Sequence, residues 1–219
     1  MSSAIDTTRL FKGTEAQFPR RWRGDGWYLT ATAALIASGR PGLVGPLYSY
    51  LISTPSYRTS ADRRRLVRRM REAMIKCIIL NVRDQDHTFT RKNWKADEAN
   101  HERGLAVLET LYRDDNAKIW ASLGAHEDIP WISTDISYGL FLADHSVLDI
   151  AESELVILPA IMCQNLAPST KWHLRGCLRV GLTREEVESI QQCVERIAAA
   201  CGKELKGLPR VCEIPDEDI

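Results

Sequence analysis

An all-α fold is what this 219-residue sequence predicts, on three observations. Apolar residues recur at helical spacing in segment after segment, and apolar–polar alternation nowhere persists over several strands. Capping residues stand where those segments begin, with Gly or Pro near their ends. Composition fits: 44% hydrophobic and 26% charged residues suit a soluble chain with one sizeable core.

Residues 1–24 read as an N-terminal extension, ending in Phe18, Pro19, Arg20, Arg21 and Trp22 and lying across the folded body. Residues 25–205 read as one helical domain, and residues 206–219 as an acidic tail. Within the domain, residues 27–37 are apolar and alanine-rich, a helix stopped by Ser38 and Gly39. Pro41 suits the first turn of a second helix through Leu47, Tyr48, Leu51 and Ile52, and Pro55 breaks it. Ser60 is the expected cap of a long helix over residues 60–81, with Leu66, Met70, Ala73, Met74, Cys77 and Ile78 as its buried stripe. Its other faces carry Arg63, Arg64, Arg65, Arg68, Arg69 and Arg71. That block reads first as solvated surface paired with acids elsewhere, and second as a docking patch for carboxylate or phosphate.

Residues 82–93 form a polar loop, and helical spacing returns over residues 95–112. Asp114 caps a short helix, and another follows over residues 130–142, where Gly139 allows close helix contact. Asp149 with Glu152 is a capping-box variant, and Pro159 inside its helix should kink it or remove one hydrogen bond. Thr183 with Glu186 opens the last helix, which buries Val187, Ile190, Val194, Ile197, Ala198 and Cys201 and ends at Gly202.

Basic and acidic residues number 29 each, so no global field draws the chain to nucleic acid or membrane. No apolar run reaches the length of a membrane span. Cys77, Cys163, Cys177, Cys193, Cys201 and Cys212 show no CxxC and no zinc-type His/Cys spacing. Free thiols, no metal and a reducing compartment follow. With no signal-peptide pattern in the first thirty residues, a cytosolic location is expected, a mitochondrial one remaining open.

The best chemical clue is an acid and an imidazole on two neighbouring helices. Glu154 opens an apolar run, and His173 follows 19 residues on. Such a pair is what proton transfer needs. The bland readings are a first-turn glutamate stabilised by the helix dipole and a core histidine. Trp172 reads as core or as a wall for an aromatic substrate. Arg175 would hold a carboxylate or pair with Glu154 or Glu186. Ser169, Cys163, Tyr138 and His101 are further pocket candidates. A short echo accompanies the clue: His101, Arg103 and Gly104 repeat the pattern of His173, Arg175 and Gly176. Glu72 precedes the first histidine by 29 residues, as Glu154 precedes the second by 19. Chance and a duplication into halves 25–125 and 126–205 both account for it.

Over residues 154–202 the sequence resembles the carboxymuconolactone decarboxylase-like family, which shares its fold with the AhpD-like alkylhydroperoxidases. The resemblance rests on the run from Glu154 to Leu158, on Trp172, His173, Leu174, Arg175 and Gly176, on the run from Gly181 to Val187, and on Ala199 to Gly202. It implies an AhpD-like bundle, a homo-oligomer (dimer or trimer), and His173 and Glu154 as catalytic residues. Leu166 and Ser169 stand where the peroxidases carry their two cysteines, so peroxidase chemistry is not expected. The implied activity is a cofactor-free lyase, decarboxylase or isomerase acting on a small anionic keto or lactone compound in secondary metabolism. The rival is a non-catalytic oligomer or regulator that kept the fold.

Overall fold

The computed structural model describes residues 5–77, 91–122 and 128–219. The regular structure of the described residues is helical and contains no strand. The residues expected at 78–81 of the long helix, most of the polar loop and Leu123 lie outside them.

Helix α1 (Thr7–Gln17) is capped by the Asp6 carboxylate, which accepts from the Arg9 N–H. It buries Leu10 and Phe11, and Phe18 just beyond is fully buried, so the segment read as an extension supplies core side chains. Helix α2 (Trp27–Ala37) is buried on every face from Trp27 to Ile36. A helix apolar all round belongs at the centre of a bundle. It packs against α4 (Ser60–Lys76), α8 (Ile150–Met162) and α10 (Arg184–Ala200). A short 3-10 turn, Pro41–Leu43, leads into α3 (Val44–Ile52).

The cap of α4 is Thr59, one residue earlier than expected, in a reciprocal box with Asp62. Leu66, Met70, Ala73 and Met74 are buried as the spacing requires. Four of the six block arginines stay exposed, as the solvated reading expects, while Arg69 is buried and Arg71 half-buried. Arg69 Nε donates to Tyr28 Oη at 2.8 Å, and its guanidinium pairs with Glu152 of α8. Arg65 pairs with Asp25 at 3.2 Å, and Arg63 holds the Tyr57 carbonyl.

Helices α5 (Glu98–Tyr112), α6 (Asp114–Ser122) and α7 (Asp128–Trp131) follow, and α7 continues into a π-helix, Ile132–Leu142. The sequence suggested an ordinary helix there. A π-helix of eleven residues is rare, since such turns occur mostly singly. It lies very close to α5: a Cβ on Gly104 would stand 2.1 Å from the Thr134 carbonyl oxygen, and one on Gly139 would stand 2.5 Å from Asn100 Nδ2. Buried Lys76 donates to the Phe141, Leu142 and Asp144 carbonyls and so closes the C-terminal end of the π-helix.

Helix α8 keeps the expected Asp149–Glu152 box with Pro159 inside it, and α9 (Ala167–Arg179) and α10 complete the bundle. The main core joins α1–α4 to α8–α10, and a smaller cluster of Val107, Leu108, Leu111, Tyr138 and Ala143 lies between α5 and the π-helix. Burial of each large apolar side chain such as Leu35 or Leu155 contributes about 1.5–3 kcal/mol. The six cysteines are free.

Candidate functional site

Glu154 lies in the middle of α8, fully buried, so the first-turn dipole reading does not hold. The register of α8 is fixed by its capping box and by the Arg69–Glu152 pair. Helix α9 brings His173 to the same depth. Gly176 eases this crossing: a Cβ there would stand 3.3 Å from Leu111 Cδ2 of α5, a tight contact, and 3.5 Å from Glu154 Oε2 of α8, an ordinary one.

Four side chains meet in one line. Glu154 Oε2 lies 2.8 Å from His173 Nδ1, Tyr112 Oη lies 2.9 Å from His173 Nε2, and Tyr138 Oη lies 2.8 Å from Tyr112 Oη. One hydrogen arrangement satisfies every link: Tyr138 donates to Tyr112, Tyr112 donates to Nε2, and Nδ1–H donates to the carboxylate. Burial, with the Glu154 charge added, pushes both phenols above their ordinary pKa of 10 and keeps them protonated as donors. The Cys177 thiol is 3.9 Å from Glu154 Oε2 and is likewise held up by burial and that charge. Glu154 Oε1 is buried without a hydrogen-bond partner among the described residues.

Both ends of this line are buried, and its most exposed link is Tyr112. Glu154 is 0%, His173 4% and Tyr138 6% exposed, whereas Tyr112 and Trp172 are only half-buried. Their rings meet edge to face at 6.3 Å, so the line reaches the surface there. Three surface cavities, of about 420, 740 and 160 Å³, are not lined by Glu154, His173 or Tyr112.

Of the residues singled out by sequence, the structure brings together Glu154, His173, Tyr138 and, at the edge, Trp172. Arg175 does not pair with Glu154 or Glu186. It reaches Asp115 at 2.7 Å and Asp218. Cys163 is buried at the C-cap of α8, where its sulfur accepts from Ser38 Oγ at 3.4 Å. Ser169 is half-buried in the first turn of α9. His101 pairs with Asp135, 3.1 Å from both carboxylate oxygens. Glu72, the acid expected to match Glu154, contacts Arg91 and Lys76 instead. Among the described residues no His, Cys, Asp and Glu side chains cluster as a metal site. Sequence reasoning missed Tyr112. Its only signal is its place as the last apolar residue of a helix that turns toward α9.

Comparison with known proteins gives two relatives. Peroxisomal protein 2 of Schizosaccharomyces pombe is 30% identical over 113 residues, 51% of this chain and 53% of that protein. Peroxisomal protein 2 of Saccharomyces cerevisiae is 25% identical over 122 residues, 55% of this chain and 39% of that protein. The chain therefore spans about half the length of the first and less of the second. No family model matches the chain, and no solved structure does.

These findings correct the sequence-based identification. Membership of the carboxymuconolactone decarboxylase-like family, the AhpD-like bundle and the lyase or decarboxylase role in secondary metabolism are not upheld, because both relatives bear a peroxisomal name and no family model matches. The rival of a non-catalytic regulator rests on the same resemblance and is no better supported. The expected cytosolic location conflicts with both names.

Proposed function

We propose that this protein acts in the peroxisome, and that its chemistry is proton transfer through Tyr138, Tyr112, His173 and Glu154. The location is supported by the names of the two relatives. The chemistry is supported by one observation, four side chains linked end to end by hydrogen bonds of 2.8–2.9 Å, buried at both ends and half-exposed at Tyr112 between them.

The hydrogen pattern loads this line as a base. A proton leaving a group docked at the Tyr112–Trp172 edge passes to Tyr112 Oη, while the Tyr112 hydrogen passes to His173 Nε2. The imidazolium that forms is stabilised by the Glu154 carboxylate on Nδ1. Tyr138 donates to Tyr112 Oη throughout. Positioned acid–base groups contribute about 10²–10⁴-fold to rate.

Two measurements test this. A fluorescent fusion should co-localise with a peroxisomal marker, and a diffuse cytosolic signal would overturn the location. Purified protein incubated with a peroxisomal small-molecule extract in deuterated water should place deuterium in a specific compound, read by mass spectrometry. His173→Gln should reduce that incorporation at least a hundredfold, on the scale of acid–base contributions. Equal labelling by the two proteins would sink the relay.

A further inference from the structure

Around the outer end of α5, several cations converge on a few residues of the acidic tail. Arg175 pairs with Asp218, Arg179 donates to the Asp218 carbonyl at 2.6 Å, Arg113 to the Ile219 carbonyl, and Arg184 pairs with Asp216. Arg175 and Arg179 are held deep, with side chains only 11% and 6% exposed. Their other contacts fix them there: Arg175 to Asp115 at 2.7 Å, and Arg179 to the Leu111 carbonyl at 2.7 Å. The Nε–H of each guanidinium is nevertheless buried without a hydrogen-bond partner among the described residues. A buried unsatisfied donor is costly and calls for an explanation.

The tail is a weakly anchored occupant. Val211 and Ile214 are each 2% exposed and pin residues 211–214 to the core. Beyond Pro215 the contacts are ion pairs, backbone carbonyls and the half-buried Ile219 side chain, and the chain forms only the short turn Asp216–Asp218. Asp216 is 91% exposed and Asp218 32% exposed, so solvent reaches these pairs. A cavity of about 160 Å³ adjoins them, lined by Arg113, Lys118, Arg179, Asp114, Asp115 and two tail acids, Glu217 and Asp218. With the tail in place, Arg113, Lys118, Arg175 and Arg179 face four carboxylates. Without it, Asp114 and Asp115 remain of those four acids.

We infer that Arg113, Arg175 and Arg179 form an anion-binding site in which the Asp218 carboxylate on Arg175, with the Asp218 and Ile219 backbone oxygens on Arg179 and Arg113, is an internal stand-in, displaced by a small molecule carrying a phosphate or carboxylate group. The guanidinium forks suit such oxyanions, and the excess positive charge exposed on tail release favours them over neutral ligands. The site is next to Tyr112 in sequence and space, since Arg113 follows it and Arg179 holds the carbonyl before it. It rests on the arginine geometry alone and stands whether or not the phenol–imidazole line moves protons.

Two experiments on the full chain decide this. In calorimetric titrations at constant ionic strength, Asp218→Asn should bind inorganic phosphate or malonate at least tenfold more tightly than the unaltered protein, and Arg175→Gln added to it should abolish the gain. Binding of phosphate alone, or of malonate alone, supports the site and names the preferred oxyanion. Independently, malonate or phosphate added to the unaltered protein should raise amide hydrogen exchange in residues 215–219 several-fold, and an equal ionic strength of chloride should not. Equal affinities for Asp218→Asn and the unaltered chain, or an equal response to chloride, would overturn the inference.

Discussion

The His-x-Arg-Gly segments of α5 and α9 share a backbone form and a carboxylate on Nδ1 of the histidine, yet they occupy opposite environments. His173 is 4% exposed and its Nε2 accepts from the half-buried Tyr112 phenol, whereas the His101 side chain is 41% exposed beside Asp135. The glycines differ too. Gly104 lets the π-helix backbone touch α5, while Gly176 lets α9 settle on the side chains of Leu111 and Glu154. Arg103 stays on its own side, donating to the Gly139 carbonyl and stacking over Trp94 at 3.9 Å, whereas Arg175 reaches out to Asp115 and the tail. What the motif becomes is decided by which helix covers its histidine. Burial with a phenol gives a closed line, and exposure gives an open dyad.

The contrast can be broken most severely at the histidines. His173→Gln should cut deuterium incorporation about 10²–10⁴-fold, and His101→Gln should leave it unchanged. Equal losses would show that the two dyads act as one site. Next in size are the glycines. Gly104→Ala drives a methyl group to 2.1 Å from a backbone oxygen that cannot step aside, and should cost about 3 kcal/mol or more in a urea denaturation curve. Gly176→Ala meets the movable end of Leu111 at 3.3 Å and should cost only about 1 kcal/mol. A reversed order would mean that the α5–α9 contact at Gly176 is the tighter one. Tyr138→Phe removes one donor from Tyr112 and should lower stability by about 1 kcal/mol, with a smaller loss of deuterium incorporation than His173→Gln.

The acids differ as well, and pH exposes it. Glu72 shares its site with Lys76, whose amine burial lowers from its ordinary 10.5 to about 8. Between those values the unfolded chain holds a proton there that the folded chain does not. The Lys76 contribution to stability therefore rises as pH increases from about 8 to about 10.5. Urea midpoints across that window should show an upward component in the unaltered protein that Lys76→Met lacks; parallel profiles would contradict it.

Much of this architecture is legible in the residues. The α2 helix, the Asp149–Glu152 and Thr183–Glu186 boxes and the Glu154–His173 pair follow from apolar spacing and capping chemistry, which act locally. Tyr112, the Asp135 partner of His101 and the destination of Arg175 depend on where helices cross, and spacing along one helix carries no information about that. The π-helix is hidden for a related reason. Its apolar pattern resembles that of an ordinary helix, and the close packing on α5 that accompanies the wider turn is a tertiary contact. The decarboxylase-like identification shows the remaining limit: a run of local matches around His173 implied a family that the relatives do not bear out.

The π-helix also ties together the histories of the two histidines. Asp135, which serves His101, and Tyr138, which serves the His173 line, lie three residues apart in it. A single-residue deletion between them would regularise the turn toward ordinary helical hydrogen bonding. It would also rotate one partner against the other, so that both could not remain seated on α5. Insertions and deletions in this segment should therefore be tolerated far less than substitutions, and any descendant that loses one residue here should lose one of its two dyads with it.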